Sequence, residues 1–213
     1  NDTVRDADMA HPKALFRYAV ESPHYKLEKD PTAGIRVRMP KKTKLREREF
    51  TDEEADQILS WSLVPCGPRT SIDRAAALRW VPWICAYHGA RVNEITQLRD
   101  VDILPTRTKE AEGIWVLRIT PEAGPVKDDE AREFALHPHI IEQGFLDYVR
   151  SRKGKRLFFD PTRSRGGGNG ENPLNLKVGD FLANWVRKTA AVTDPNIQPN
   201  HAWRHLFRTR CRV

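Results

Sequence analysis

Gly89-Ala90-Arg91-Val92-Asn93-Glu94 and His201-Ala202-Trp203-Arg204-His205 are the two stretches of this chain that decide its fold. The glycine turn holds Arg91 at the start of a helix, and Arg204 follows His201 by about one helical turn. Phosphoryl transfer needs positive donors against the non-bridging phosphate oxygens. The planar arginine fork bonds two oxygens at once and stays charged at any working pH. The two stretches therefore supply two such forks, Arg91 and Arg204.

The composition is that of a folded protein with a polyanionic partner. The 213 residues carry 36 Lys and Arg against 29 Asp and Glu, a net charge of +7, and the isoelectric point is near 9.5. This balance favours nucleic acid. Cys66, Cys85 and Cys211 show no CxxC or Cys/His spacing, which indicates neither a disulfide framework nor a zinc site. The longest apolar run, residues 80–87, is far too short to cross a bilayer.

The composition also divides the chain into three parts. Residues 1–35 hold a helical pattern at 13–20 and then a turn-rich stretch, which is typical of the C-terminal end of a helical domain. Residues 36–49 are strongly basic and contain a proline, as expected of a linker. Residues 50–213 are the main unit, which opens with Thr51 as a helix N-cap and Glu54 at the capping-box position.

The main unit is predicted to be mainly α with a small antiparallel β-sheet, an α+β arrangement. Residues 114–119 and 133–136 alternate or cluster apolar side chains in the manner of two strands and predict a hairpin. Helices are expected at residues 71–87, with Gly89 as the stop, at 91–100, 140–150 and 178–191, and from Asn200 onward.

The order and spacing of the two arginine stretches, with a lysine segment between them, resemble the arginine boxes of the tyrosine recombinases, the phage-integrase family. The intervening segment, residues 126–138, has Lys127, a short polar turn, an arginine, and a strand that runs into Leu-His-Pro. The resemblance implies the catalytic-domain fold of that family at residues 50–213, truncated at the C-terminus, and the end of a core-binding domain at 1–35. It also implies that Arg91 and Arg204 bind the scissile phosphate while Lys127 protonates the departing 5′ oxygen, which suits a mobile ammonium.

His201 matches the first histidine of the family's His-x-x-Arg box, which bonds the scissile phosphate and assists the nucleophile's proton. Glu94, three residues after Arg91, and His205 are expected to support the site, His205 more as a packed residue than as a reacting one. Simpler interpretations are a surface pair of Arg91 with Glu94 and a solvated loop lysine at Lys127. The other histidines show no metal-ligand spacing, so we expect no metal and no cofactor.

Three basic clusters are expected to grip the DNA backbone. Residues 36–48 and 150–165 each hold seven basic residues against one acidic, a net +6, and residues 201–213 hold four arginines and no acid. Phosphate contacts from such groups dominate affinity and make it salt-dependent. The residues predicted to contact DNA are Arg36, Arg38, Lys41, Lys42, Lys44, Arg132 and Arg208.

The resemblance implies a site-specific recombinase or integrase that cuts and rejoins double-stranded DNA through a 3′-phosphotyrosyl intermediate. We expect a tetramer on DNA, and the free protein could be a monomer. We also expect a bacterial cytoplasmic location and a phage or genomic-island origin. The family's tyrosine nucleophile lies beyond the second arginine box. Because the tyrosines of this chain all precede that box, we expect the nucleophile beyond Val213; they are Tyr18, Tyr25, Tyr87 and Tyr148.

Three alternative functions are weighed against this one. A type IB topoisomerase shares the chemistry, but the Leu-His-Pro exit and the His-x-x-Arg-His box favour an integrase. A DNA-binding or architectural protein without catalysis does not need all four of Arg91, Lys127, His201 and Arg204. An RNA-binding or helix-rich interaction module is expected to present stacking aromatic residues on an exposed sheet.

Overall fold

A computed structural model describes residues 8–25, 27–36, 46–106, 113–124, 130–163 and 174–212. The chain forms two compact units, Asn1–Leu45 and Arg46–Val213. Most of the predicted linker, residues 37–45, lies outside the described residues. The division into a domain end at 1–35, a linker at 36–49 and a catalytic domain at 50–213 stays a prediction.

The first unit contains helix α1, Ala10–Glu21, which is longer at both ends than the predicted pattern. None of the described residues of this helix is buried, and Leu15 is 65% exposed. The Nζ atom of Lys13 donates to the carbonyl oxygen of Ile35 at 2.6 Å, so the turn-rich segment folds back on the helix.

The second unit is mainly helical with one small sheet, as predicted. Its described elements are α2 (Asp52–Leu63), α3 (Ile72–His88), α4 (Val92–Thr96), β1 (Ile103–Pro105), β2 (Trp115–Ile119), β3 (Arg132–Ala135), α5 (Pro138–Glu142), α6 (Phe145–Ser151), α7 (Leu174–Lys188) and α8 (Pro199–Arg210). Short 3-10 turns occur at Asp100–Asp102 and Pro161–Arg163.

Local capping explains where the first helices of this unit begin and end. The hydroxyl of Thr51 accepts from the Glu54 N–H at 3.2 Å, and the Glu54 carboxylate accepts from the Thr51 N–H at 3.0 Å. This capping box confirms the predicted start of α2. Helix α3 begins after the Ser71 N-cap and ends at Gly89, which adopts the left-handed conformation at φ +59°. The predicted stop is therefore confirmed.

One predicted helix is shorter than expected, and another is divided in two. The helix predicted at 91–100 ends at Thr96, because the carbonyl of Leu98 accepts from Leu157 and the Arg99 N–H donates to the Asp102 carboxylate. These partners divert the backbone from helical hydrogen bonds. The helix predicted at 140–150 is two helices, α5 and α6, which are separated at Gly144 with φ +90°.

The sheet has three antiparallel strands in the order β1-β2-β3 within the described residues. The predicted hairpin is the β2-β3 pair, in which Leu117 lies opposite Phe134. Strand β1 was not predicted, because its three residues are too few to show an alternating pattern and one of them is Pro105. Leu117 is also the register partner of Ile103, so β2 is the central strand.

The hydrophobic core of the second unit positions α8 against α3. Ala202, Trp203 and Leu206 of α8 are buried, and the Trp203 ring meets the Phe50 ring edge to face with centroids 4.9 Å apart. Burying a tryptophan removes a large apolar area from water, so this contact fixes the helix strongly. Arg204 follows Trp203 directly and is held in place by that burial.

Candidate active site

The first arginine box is shaped by Gly89. A side chain at this position would combine a left-handed backbone with a clash against the Phe207 ring of α8, so only glycine fits. The turn places Arg91 at the N-cap of α4. The sequence prediction that Arg91 opens a helix is confirmed.

The two boxes meet directly. The Nη1 atom of Arg204 donates to the carbonyl oxygen of Gly89 at 2.8 Å. Burial lowers the pKa of Arg204, and the nearby positive charges of Arg91 and Arg132 lower it further. Arginine nevertheless stays protonated at any working pH, so these three residues bring together three positive charges.

Glu94 is the counter-ion of this cluster, and its side chain is only 4% exposed. One carboxylate oxygen, Oε2, accepts from the Arg91 N–H at 3.1 Å; the other, Oε1, accepts from Arg91 Nη1 at 2.8 Å and forms an ion pair with Arg132 Nη2. Burial by itself raises the pKa of Glu94, but the hydrogen bonds from Arg91 and the charge of Arg132 outweigh it and the pKa is lowered. With Arg204 included, three positive groups and one carboxylate leave a net charge of +2.

Helix α8 presents the second box as one face. His201, Arg204, His205 and Arg208 follow the i, i+3, i+4, i+7 spacing of a helical stripe, opposite the buried Trp203 side. His201 and Arg208 are exposed, whereas His205 is half-buried. Burial lowers the pKa of His205, and the positive charges of Arg48, His201 and Arg208 add to that effect. This face is therefore rich in positive charge.

The structure brings four of the predicted residues into one cluster: Arg91, Glu94, Arg132 and Arg204. His201 and His205 lie on the same helix as Arg204, and Arg36 is exposed in the first unit. Several predicted residues lie outside the described part of the chain: Lys127 in the lysine segment, and Arg38, Lys41, Lys42 and Lys44 in the linker. Their roles stay predictions.

Two features of the cluster were not predicted from the sequence. The carbonyl of Gly89 acts as an acceptor for Arg204, which no side-chain pattern signals. Arg132 was predicted only as a DNA contact, but it is paired with Glu94. A signal for this pairing was present, because the alternation of β3 places Arg132 on the same inward side as Phe134, whereas Glu133 is exposed.

Several arginines of the predicted basic clusters hold the fold together. Arg46 bonds the Glu54 carboxylate through both Nη atoms, at 2.9 and 2.7 Å, and also reaches Asp194 at 3.3 Å. Arg152 is paired with Asp73 at 2.6 Å, and the two side chains are each 14% exposed. These arginines are already neutralised within the protein, so they contribute less to DNA binding than a count of charges suggests.

The hydroxyls of two of the tyrosines form hydrogen bonds within the protein. The Tyr87 hydroxyl lies 2.6 Å from Nδ1 of His139, and its ring stacks on His137 with centroids 3.8 Å apart. Tyr87 is half-buried and packs against the hydrophobic core. The Tyr148 hydroxyl donates to the carbonyl of Leu157, and burial raises its pKa. Burial, and to a lesser extent the charge of Glu142, also raises the pKa of Tyr87. The raised pKa values make both hydroxyls weaker nucleophiles at neutral pH.

Across the described parts of the chain, no helix combines the length and the hydrophobicity that crossing a bilayer requires. In the same residues, no three His, Cys, Asp or Glu side chains are grouped so as to bind a metal ion. The expectation of a reaction without a metal or a cofactor stays a prediction.

Comparison with known proteins places the fold. No protein-family model and no curated protein sequence matches the chain. Solved structures do: the XerH site-specific recombinase bound to its difH substrate in a pre-cleavage complex has a TM-score of 0.55 and 20% identity. The same recombinase in a post-cleavage complex with a palindromic difH substrate has a TM-score of 0.56, also at 20% identity.

Each match covers 92% of this chain and 50% of the recombinase chain, so this chain spans about half the length of the structures it matches. The likeness shows the fold of a tyrosine recombinase. It confirms the resemblance seen in the two arginine boxes at the level of fold, and the predicted fold class with it.

Proposed function

We propose that this chain serves as the catalytic part of a site-specific DNA recombinase that cuts and rejoins DNA through a 3′-phosphotyrosyl intermediate. The observation that carries the proposal is the hydrogen bond of 2.8 Å from Arg204 to the carbonyl of Gly89. It joins the two arginine boxes into one cluster whose net charge of +2 suits a phosphodiester anion.

The similarity to XerH supports DNA as the substrate. That protein is a site-specific recombinase whose structures contain its difH substrate before and after cleavage. The match extends over 92% of this chain. The exposed face of α8, with Arg208 at its end, is the surface we assign to the DNA backbone.

In the proposed reaction, Arg91 and Arg204 donate to the two non-bridging oxygens of the scissile phosphate. A tyrosine hydroxyl attacks the phosphorus, its proton leaves with the help of His201, and the bond from phosphorus to the 5′ oxygen breaks. Lys127 gives a proton to that oxygen, which leaves as a free hydroxyl. By the resemblance to the family, the attacking tyrosine is expected C-terminal to the second arginine box.

Rejoining is the same reaction in reverse, with the 5′ hydroxyl of another strand attacking the phosphotyrosine. The bond energy stays in the phosphotyrosyl link, so no nucleotide is consumed. Exchange between two duplexes requires four cleaved strands, and we accordingly propose a tetramer on double-stranded DNA. Glu94 and His205 support the reacting residues, and the backbone contacts are assigned to Arg36, Arg38, Lys41, Lys42, Lys44 and Arg208.

The test is covalent attachment of the complete gene product that contains this chain to a labelled, nicked DNA duplex, read on a denaturing gel. We expect a covalent band that forms equally with added Mg²⁺ and with a chelator. DNA binding without a band favours the architectural alternative. A band on any duplex, together with relaxation of supercoiled DNA, favours a type IB topoisomerase. A band that the chelator removes contradicts the proposed chemistry.

A further inference from the structure

Arg132, the first residue of β3, shares one carboxylate oxygen with the first arginine box. Its Nη2 atom is paired with Oε1 of Glu94, and the same oxygen accepts from Nη1 of Arg91 at 2.8 Å. Glu94 therefore lies between two guanidinium groups, one from the N-cap residue of α4 and one from the sheet. The side chain of Arg132 is 30% exposed, so it also reaches the surface of the cluster.

The position of Arg132 is set by the anchoring of its strand. At the other end of β3, Nε2 of His88 lies 3.0 Å from the carbonyl oxygen of Ala135. His88 immediately precedes Gly89, and its ring meets the Phe134 ring edge to face with centroids 6.1 Å apart. Strand β3 is thus attached to both ends of the first arginine box, through His88, which precedes it, and through Glu94, its last residue.

The guanidinium of Arg132 is not fully satisfied by Glu94. Its Nε atom is buried and has no hydrogen-bond partner among the described residues. A buried donor without a partner is costly, and three guanidinium groups around one carboxylate repel one another.

We propose that Arg132 is a positioning residue for Arg91 and acts through Glu94. With Arg132 present, Oε1 of Glu94 is divided between two guanidinium groups, and Arg91 engages it through Nη1. Without Arg132, Glu94 and Arg91 are free to close into a one-to-one fork that occupies a second nitrogen of Arg91. That nitrogen is then lost to the substrate phosphate. The inference rests on the proposed function, because the anion it serves is the scissile phosphodiester.

The test is single-turnover cleavage of the nicked duplex by the complete gene product over a range of protein concentrations. Arg132→Ala is expected to lower the maximal rate about 10- to 100-fold, which is less than the loss of a direct donor, and to change the half-saturating concentration less than about threefold. Arg132→Lys is expected to recover part of the rate, because the ammonium restores a charge beside Glu94.

Arg118→Ala is the matched control. Arg118 lies on the neighbouring strand β2 and pairs at 2.6 Å with the exposed Glu133, away from Glu94. Its replacement is expected to leave both the rate and the half-saturating concentration unchanged. If Arg118→Ala and Arg132→Ala lower the rate equally, general weakening of the sheet explains the defect and the assignment fails.

A double variant tests the route through Glu94. If Arg132 acts only through this carboxylate, Glu94→Gln combined with Arg132→Ala is expected to be about as slow as Glu94→Gln alone. If the rate of the double variant falls by the product of the two single losses, the inference is overturned. It is also overturned if saturating protein restores the rate of Arg132→Ala, because that result indicates a plain DNA contact. Absence of cleavage by the wild-type protein overturns the proposed function and this inference together, whereas wild-type cleavage with an unaffected Arg132→Ala overturns the inference alone.

Discussion

Arg204 and Gly89 are joined by a hydrogen bond of 2.8 Å across 115 positions of the chain, from the guanidinium of the last helix to the carbonyl of the first arginine box. The bond ties the second arginine box to the backbone of the first, so the fold itself holds the two arginines near each other. Donors fixed in advance of the reaction need no reorganisation when charge develops on the phosphate.

Arg91→Ala and Arg204→Ala are each expected to lower DNA cleavage by the complete gene product at least about 10²-fold, because each removes a fixed donor to the phosphate. DNA affinity is expected to change only a few-fold, since one phosphate contact among many is lost. Cleavage rates and binding titrations on the same duplex measure both effects. Arg118→Ala, which removes an arginine outside the three basic clusters that is paired with the exposed Glu133, serves as the control. Near-normal cleavage by either variant removes that arginine from the site.

Lys127→Ala is expected to cleave poorly on ordinary DNA but near the wild-type rate on DNA whose bridging 5′ oxygen is replaced by sulfur. A thiolate leaves without a proton, so the general acid is no longer needed. Arg91→Ala provides the contrast, because its defect lies at the non-bridging oxygens and the sulfur does not repair it. Equal defects of Lys127→Ala on the two substrates exclude this role for Lys127.

Gly89→Ala is expected to destabilise the protein by about 2 kcal/mol or more, because it forces a side chain onto a backbone at φ +59° and into the Phe207 ring. Gly67→Ala is the matched control. A side chain at Gly67 meets no described atom within 4 Å, so we expect a change within about 0.5 kcal/mol. Denaturant unfolding measures both variants. Equal stability of the two contradicts the role given to the Gly89 turn.

The free energy of unfolding is expected to fall as the pH decreases from 7.5 to 5.5. Burial lowers the pKa of His205 and of His88 below the ordinary value of 6.5, and positive neighbours add to this at His205. The unfolded chain therefore takes up protons first, and stability is lost as the pH drops below that value. Denaturant titrations of the wild type and of His205→Gln measure the effect. The variant is expected to lose less stability over this range; an equal or greater loss shows that His205 is not responsible.

Sequence alone predicted those parts of the fold that depend on neighbouring residues. The start of α2 at the Thr51 capping box and the end of α3 at Gly89 are local, and both are confirmed. The helix predicted at 91–100 was too long, because the bond from Leu157 to Leu98 that ends it comes from 59 positions away. Strand β1 was too short to leave a pattern.

In the candidate site, too, local features could be predicted from the sequence and long-range contacts could not. The residue types and their spacing indicated Arg91 and Arg204, whose roles stay predictions. The i,i+3 pair of Arg91 with Glu94, which the sequence offered as a simpler surface interpretation, is present, but the Glu94 side chain is only 4% exposed. The connection of Arg204 to a backbone carbonyl has no sequence signature. The pairing of Arg132 with Glu94 depends on how β3 docks beside α4, which is a property of the tertiary structure.

Arg91 and Arg204 are expected to bind one phosphate between them, which a crystal structure of this chain soaked in inorganic phosphate tests. We expect a single anion within hydrogen-bond distance, about 3 Å, of both guanidinium groups. Arg204→Ala crystals soaked in the same way are expected to lose that anion. Anions bound elsewhere with the cluster empty, or two separate anions each touching one arginine, contradict the account.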